Sequence, residues 1–495
     1  MQYLKVLAFA LLMISLTACA GQSRPVVPVN DDGKKADVTL HMLVSDNSGN
    51  YLPINSDLTF SDGAGRALLR ENSEGKCESF AALDKHIDKM LSAFKASGKK
   101  RLLIFIHGGM NSLENSLRRV TKQYPEVLGD PNDPDDGYYP IFLVWRSGIV
   151  TSYFEQLCCI RGGQHNLLLG VVTMPLYLLK DTGVAIFNAP LAWGQQTYRY
   201  WTSIGDQKNI TAPDSQRCDS AAKQSELRDP KSGVHFCHKG NQETNGFSLQ
   251  DGFNLVMFFP KMVTMPFVDS MGGTGWENML RRTETLFRNP MELSNAKDTC
   301  TTEAKTFRRG SGAVSIFFKK LEERFGNGKD AHITIIGHSM GAIIINKAIE
   351  SYPSIPYDNI VFMAAADSIS NTIDSVGDYL QENKNTQFYN LSLHPHADAA
   401  EIAPYTFGTV PNGSLLEWID QMFGPNRSVL DRTMGSWWNI KDALHLFPES
   451  DRVHMKVFGY NEGDPVHHID FNNPDLTTYP YWDKRFWWVE KPEAP

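Results

Sequence analysis

Apolar residues along the chain fall into short blocks of strand length separated by stripes of helical period. Val38, Leu40, Met42 and Val44 alternate with more polar neighbours before Asp46-Asn47-Ser48-Gly49-Asn50, which predicts an opening strand and a turn. Phe80, Leu83, Ile87, Met90, Leu91 and Phe94 keep a helical period that ends at Gly98. Leu102 to Ile106 is then continuously apolar, as in a strand covered on both faces, and it runs directly into His107-Gly108-Gly109. A helix with Leu113, Leu117 and Val120 on one face leads to a further strand from Tyr139 to Trp145. The alternation resumes with a stripe at Val314, Phe317, Phe318, Leu321 and Phe325, followed by strands at Ile333 to Ile336, Ile360 to Ala364, Phe388 to Leu393 and Val453 to Tyr460. Such alternation predicts an α/β fold: a doubly wound, mostly parallel sheet flanked by helices, with ligands bound at the carboxyl ends of its strands.

Residues 149–310 interrupt this pattern and are far longer than the usual connection of about 2 to 6 residues, so they are expected to form a cap or lid between two parts of one domain, 37–148 and 311–495. Two apolar stretches lie inside the interruption. Leu167 to Leu179 contains Pro175 and is expected to stop at Lys180-Asp181; Phe253 to Phe267 is broken by Pro260, Lys261 and Pro266. Both are too short and too interrupted for the roughly 20 residues of a membrane span. They are expected to be helices packing on the sheet domain, the alternative being an apolar lid that meets lipid or an acyl chain.

The first 18 residues have the layout of a secretory signal: Lys5, an apolar run from Val6 to Leu16, then small residues. Leu16-Thr17-Ala18-Cys19 resembles the bacterial lipobox, which implies an acylated Cys19 as the first mature residue, a lipid-attached tether over 19–36, and a location in the cell envelope. The absence of Asp at position 20 suggests the outer membrane, facing the periplasm. A net charge of −8 leaves no basic stripe for phosphates and argues against a nucleic-acid partner. The other six cysteines, at 77, 158, 159, 218, 237 and 300, stand in a compartment that permits disulfides, and Cys218 with Cys237 is the preferred pair.

Gly337-His338-Ser339-Met340-Gly341 follows an apolar strand and precedes the apolar helix from Ala342 to Ile349. That is the context of a nucleophile elbow, in which glycines let the backbone pass closely on either side of a serine in a tight turn. Ser339 is the expected nucleophile. His107-Gly108-Gly109 ends an earlier strand, and the N–H groups of Gly109 and Met340 are the expected oxyanion donors. A hydroxyl needs a base, itself oriented by a carboxylate. His467 and His468 follow the last expected strand, and His468 is the preferred base, with His467 the alternative; Asp398, after the strand ending at Leu393, is the preferred acid, with Asp367 the alternative. This constellation requires no metal and no cofactor.

Together, Ile106-His107-Gly108-Gly109, Trp145-Arg146-Ser147-Gly148 and Gly337-His338-Ser339-Met340-Gly341 resemble the α/β-hydrolase superfamily, from about Arg101 to Phe471 outside the interruption. The resemblance implies a serine hydrolase that cleaves carboxylic esters, of small molecules or lipids, through an acyl-enzyme. Three other readings stand beside it. His394-Pro395-His396-Ala397-Asp398 resembles the metal motif of metallo-β-lactamase-like hydrolases, although Ala399 stands where that motif has another His. The acidic run from Asp130 to Gly137 hints at calcium, but its prolines suit a solvated turn better. Last, the fold could serve as a non-catalytic binding module in an envelope lipoprotein.

Overall fold

The computed structural model describes residues 37–46, 49–54, 78–109, 111–130, 133–158, 160–161, 164–165, 167–205, 218, 229, 231–239, 249–287, 312–326, 331–403, 406, 408–424, 428–460 and 462–488. The expected signal segment, Cys19 and the tether lie outside them, as do Cys77, Cys159 and Cys300.

Eight strands form one sheet: β1 (Met42–Ser45), β2 (Arg101–Ile106), β3 (Tyr139–Trp145), β4 (His235–His238), β5 (His332–His338), β6 (Tyr357–Met363), β7 (Gln387–Ser392) and β8 (Val453–Val457). Their spatial order is β1-β3-β2-β5-β6-β7-β8-β4, and every neighbouring pair is parallel. Helices surround the sheet, including α1 (Glu78–Ser97), α2 (Leu113–Leu128), α3 (Ile149–Cys158), α4 (Leu167–Gly205), α5 (Leu249–Val256), α6 (Phe258–Leu286), α7 (Ala313–Phe325), α8 (Gly341–Ser351) and α9 (Pro395–Ala400). The expected α/β class holds, with parallel pairing throughout the sheet. Covering both faces explains why the central strands are near-continuous in Ile, Leu, Val and Phe: Leu102 to Ile106 and Ile360 to Met363 are all buried.

Three expectations change. The opening alternation is a 3-10 turn from Val38 to His41 followed by the four-residue strand β1. Lys180-Asp181 does not stop a helix: α4 runs for 39 residues, through Pro175 and Pro190. Pro260 does not break the second apolar stretch, because it falls in the first turn of α6, where its missing N–H would have no helical acceptor.

The segment 149–310 is not confined to a cap, since β4 is the edge strand of the main sheet, paired along β8 from His454↔His235 to Val457↔His238. A Cys218–Cys237 disulfide, the preferred pair, ties the strand to the chain before it.

Candidate active site

In an open parallel sheet, a crevice forms where the strand order reverses. Here the chain leaves β2 for β3 on one side, and the later run β5 to β8 is laid down on the other. The crevice therefore opens at the carboxyl ends of β2 and β5. Register makes this specific, because Ile106 of β2 pairs with Gly337 of β5. Continuing each strand sets Gly108 and Gly109 beside Ser339 and Met340.

Ser339 has φ 53°, a left-handed backbone rare outside glycine, at the turn between β5 and α8. Its N–H donates to the Met363 carbonyl at 2.9 Å, and its own carbonyl accepts from Ala366 N–H at 3.1 Å. The flanking glycines are sterically required. A Cβ on Gly341 would lie 2.2 Å from the Ile106 carbonyl oxygen, and one on Gly337 would meet Gly341 and Ile345 below 3 Å. A Cβ on Gly108 would lie 2.7 Å from Ser339 Cβ, and one on Gly109 would lie 2.8 Å from Met340 Sδ. The expected oxyanion loop and the serine turn are thus in direct contact.

Buried imidazoles brace both sides. His107 Nε2 accepts from Trp145 N–H at 3.1 Å, so Nδ1 carries the proton and donates to the Gly108 carbonyl at 2.8 Å. Burial pushes His107 down to about 3, which keeps it neutral. His338 donates from Nε2 to the His468 carbonyl at 2.9 Å and accepts at Nδ1 from Asn472 at 2.9 Å, and burial holds it well below the usual imidazole range. The residue before the serine is therefore bolted to the loop carrying the preferred base.

His468 opens a 3-10 turn after β8, with its ring 5.0 Å from that of His338. It is buried, burial lowers it to about 4, and neither ring nitrogen has a hydrogen-bond partner among the described residues. Its neighbour His467 is half-exposed, pairs with Asp470 at 3.1 Å and is raised by that hydrogen bond.

Asp398 lies in α9, just past β7. Burial raises it to about 6 against the pull of Ser414, Arg199 and Ser436, and its Oδ1 has no partner among the described residues. Asp367, by contrast, is fully engaged: Ser368 N–H, Asn371 and Asn346 all donate to its carboxylate at 2.7 to 3.0 Å.

Sequence reasoning missed Glu401. Its carboxylate accepts from His468 N–H at 2.9 Å and is raised to about 7, by burial first and then by Asp398 and Asp470. Standing three residues after Asp398, it links the helix of the preferred acid to the loop of the preferred base; that i, i+3 spacing was the available signal. The Ser339 hydroxyl has no partner among the described residues and is 1% exposed. Met279 of α6 reaches the same loop, for a Cβ on Gly109 would lie 2.6 Å from its Cε.

The rival motifs have other work. His394 Nδ1 accepts from His396 N–H at 3.1 Å as the N-cap of α9, while His396 Nδ1 lies 3.0 Å from Ser203 Oγ. Among the described residues no group of three or more His, Cys, Asp or Glu side chains is placed to hold a metal. In the acidic loop the carbonyls of Asp130, Asp133 and Asp136 surround the Lys99 ammonium at 2.5 to 2.8 Å.

No protein-family model, no curated protein and no solved structure matches the chain.

Proposed function

We propose that the chain is a serine hydrolase of the α/β-hydrolase fold, cleaving carboxylic esters of small molecules or lipids through an acyl-enzyme on Ser339. The observation that carries the reading is the left-handed backbone of Ser339, a non-glycine residue at a strand-to-helix turn whose hydroxyl has no partner among the described residues. Strain of this kind costs about 1 to 2 kcal/mol and recurs where a side chain must be presented for chemistry. Polar atoms of His468 and Asp398 that have no partner among the described residues support it further.

In this reading Ser339 Oγ attacks the ester carbonyl as neutral His468 takes its proton, and Met340 and Gly109 N–H groups receive the oxyanion. His468 then protonates the departing alcohol, leaving an acyl group on Ser339. Water, deprotonated by the same imidazole, releases the acid and regenerates the hydroxyl. Asp398 is assigned to orient the imidazole, with which it makes no hydrogen bond among the described residues, and Glu401 positions its loop. The segment 149–310 caps the site, and the chain is held in the envelope, at the periplasmic face of the outer membrane, by lipid on Cys19.

A second reading, a non-catalytic envelope lipoprotein that uses the fold to bind a partner, is favoured by one observation: Ser339 is only 1% exposed. Labelling with a fluorescent fluorophosphonate separates the two. The hydrolase reading predicts labelling of wild type that survives chelator and vanishes in Ser339→Ala and His468→Ala. No labelling of wild type supports the binding module.

A further inference from the structure

We infer that the outer face of the α4 and α5–α6 helices is a membrane-contact surface, sunk into the acyl-chain region of a lipid bilayer. The inference stands apart from the hydrolase reading, since it uses none of the catalytic residues.

The two arms of the insertion run antiparallel. Tyr200 of α4 bonds to Asp251 and Asn254 of α5, Trp193 packs 4.7 Å from Phe258 of α6, and Tyr153 bridges the neighbourhoods of Asp181 and Ser270. Reading α4 backwards therefore follows α5 and α6 forwards, so that Val184 to Leu191 lie at the level of Phe259 to Phe267.

On this hairpin the usual amphipathicity is inverted. A helix on a water-soluble protein turns its apolar stripe inwards and its polar stripe out. Here Gln196, Arg199, Asn254, Lys261 and Asp269 face inwards and are buried. Outwards, α4 presents Val172, Leu176, Leu179, Phe187 and Leu191 at helical spacing, and α6 presents Phe259, Val263 and Phe267; Phe187 is 87% exposed. All but five of the large exposed apolar side chains among the described residues lie on 172–201 and 249–267, the others being Val429, Leu446, Tyr460, Ile469 and Leu476. An apolar surface of that extent on a soluble chain marks a contact site.

Three features favour lipid over a protein partner. First, the polar groups are satisfied internally: Lys261 donates to Asn254 and Asn412 at 2.7 and 2.6 Å, and Arg199 pairs with Glu417 at 2.8 Å. The outer face is correspondingly sparse in polar groups: on α4 its exposed ones are Lys180, Asn188 and Gln195, of which the long Lys180 side chain can reach towards the headgroups. Second, the only charged residues of 249–267, Asp251 and Lys261, are buried, whereas protein interfaces carry about one hydrogen bond per 100 to 200 Å². Third, composition grades along α4. Exposed side chains from 172 to 191 are mostly aliphatic or Phe, with Tyr177 and Lys180 among them, and give way to exposed Tyr198 and Trp201 at the end fixed to the sheet domain by Arg199 and Ser203. Trp and Tyr at the boundary between apolar and wet regions match the headgroup level of a bilayer. Among the described residues no helix is long and apolar enough to cross a membrane, so the helices lie in the interface with one face immersed.

The test incubates the purified full chain with phosphatidylethanolamine and phosphatidylglycerol vesicles carrying a photoactivatable diazirine in the acyl chain, and maps the adducts by mass spectrometry. Adducts concentrated on 172–201 and 249–267 are expected. They should fall at least about tenfold when Phe187, Phe259, Val263 and Phe267 are all replaced by Ser, a change at exposed positions that leaves the far-ultraviolet circular dichroism unaltered. Adducts absent from these helices, or unchanged by the four substitutions, overturn the inference. Crosslinks that instead join this face to a second copy of the chain overturn it too, and assign the surface to self-association.

Discussion

Gly108→Ala is the sharpest perturbation of the site's geometry. The new Cβ would stand 2.7 Å from Ser339 Cβ, 2.9 Å from His338 Nδ1 and 3.0 Å from the His338 carbonyl oxygen, against 3.4 to 4 Å for ordinary contact. None of these neighbours yields easily, because Ser339 is fixed in its turn by bonds to Met363 and Ala366, and His338 is held at both ring nitrogens. Separating the loop from the turn by the missing 0.7 Å is overpacking of a tight core, which costs about 2 to 3 kcal/mol. Urea denaturation followed by tryptophan fluorescence should report that loss. The rate of fluorophosphonate labelling should fall on the order of 100-fold, the usual consequence of a displacement approaching 1 Å at reacting groups. Gly183→Ala is the control: it lies on α4 with nothing within 4 Å of an added Cβ, and should stabilise by about 0.5 to 1 kcal/mol. Stability within about 0.5 kcal/mol of wild type in Gly108→Ala, with labelling unchanged, would refute the apposition of loop and elbow.

Arg199 locks the insertion to the sheet domain through Glu417 at 2.8 Å and Asp420 at 3.8 Å, so Arg199→Met, which leaves buried carboxylates unpaired, should cost about 3 to 5 kcal/mol in chemical denaturation. Burial raises Glu417 and Glu401 to about 7 and Asp398 to about 6, so the folded chain keeps protons that the unfolded chain releases nearer pH 4. Their stabilisation is complete below the ordinary carboxylate range and is lost as pH rises through about 6 to 7; thermal melts should show a smaller loss across that window in Glu417→Gln than in wild type. Breaking Cys218–Cys237, which closes a loop across 19 positions, should cost about 3 kcal/mol, visible as a lower urea midpoint in the Cys218→Ser, Cys237→Ser double variant.

Much of the sheet was legible because buried parallel strands write themselves as apolar runs: the expected run of Tyr139 to Trp145 is β3, and Leu102 to Ile106 falls one residue short of β2. Strand β4 was not legible. His-Phe-Cys-His offers neither an apolar run nor a clean alternation, and the strand is defined by its neighbour β8 and the Cys218 bond rather than by its own side chains. The insertion helices were underestimated because Lys180-Asp181 read as a stop, although contacts with α3 and α6 carry the helix through it. At the site, the serine turn and the His107-Gly108-Gly109 loop are local sequence events and could be located from their glycines. The choice between His467 and His468, or Asp367 and Asp398, depends on what surrounds each side chain, and only folding supplies that. Glu401 escaped for the same reason: its role rests on one bond to a backbone N–H, 67 residues away.

The most direct test of Ser339 as nucleophile is rapid acid quenching of the protein with an activated ester, followed by intact-mass and peptide mass spectrometry. The account predicts a single acyl group, carried on the peptide that holds Ser339 and missing from Ser339→Ala. An acyl group on another residue, or turnover that persists in Ser339→Ala, would contradict it.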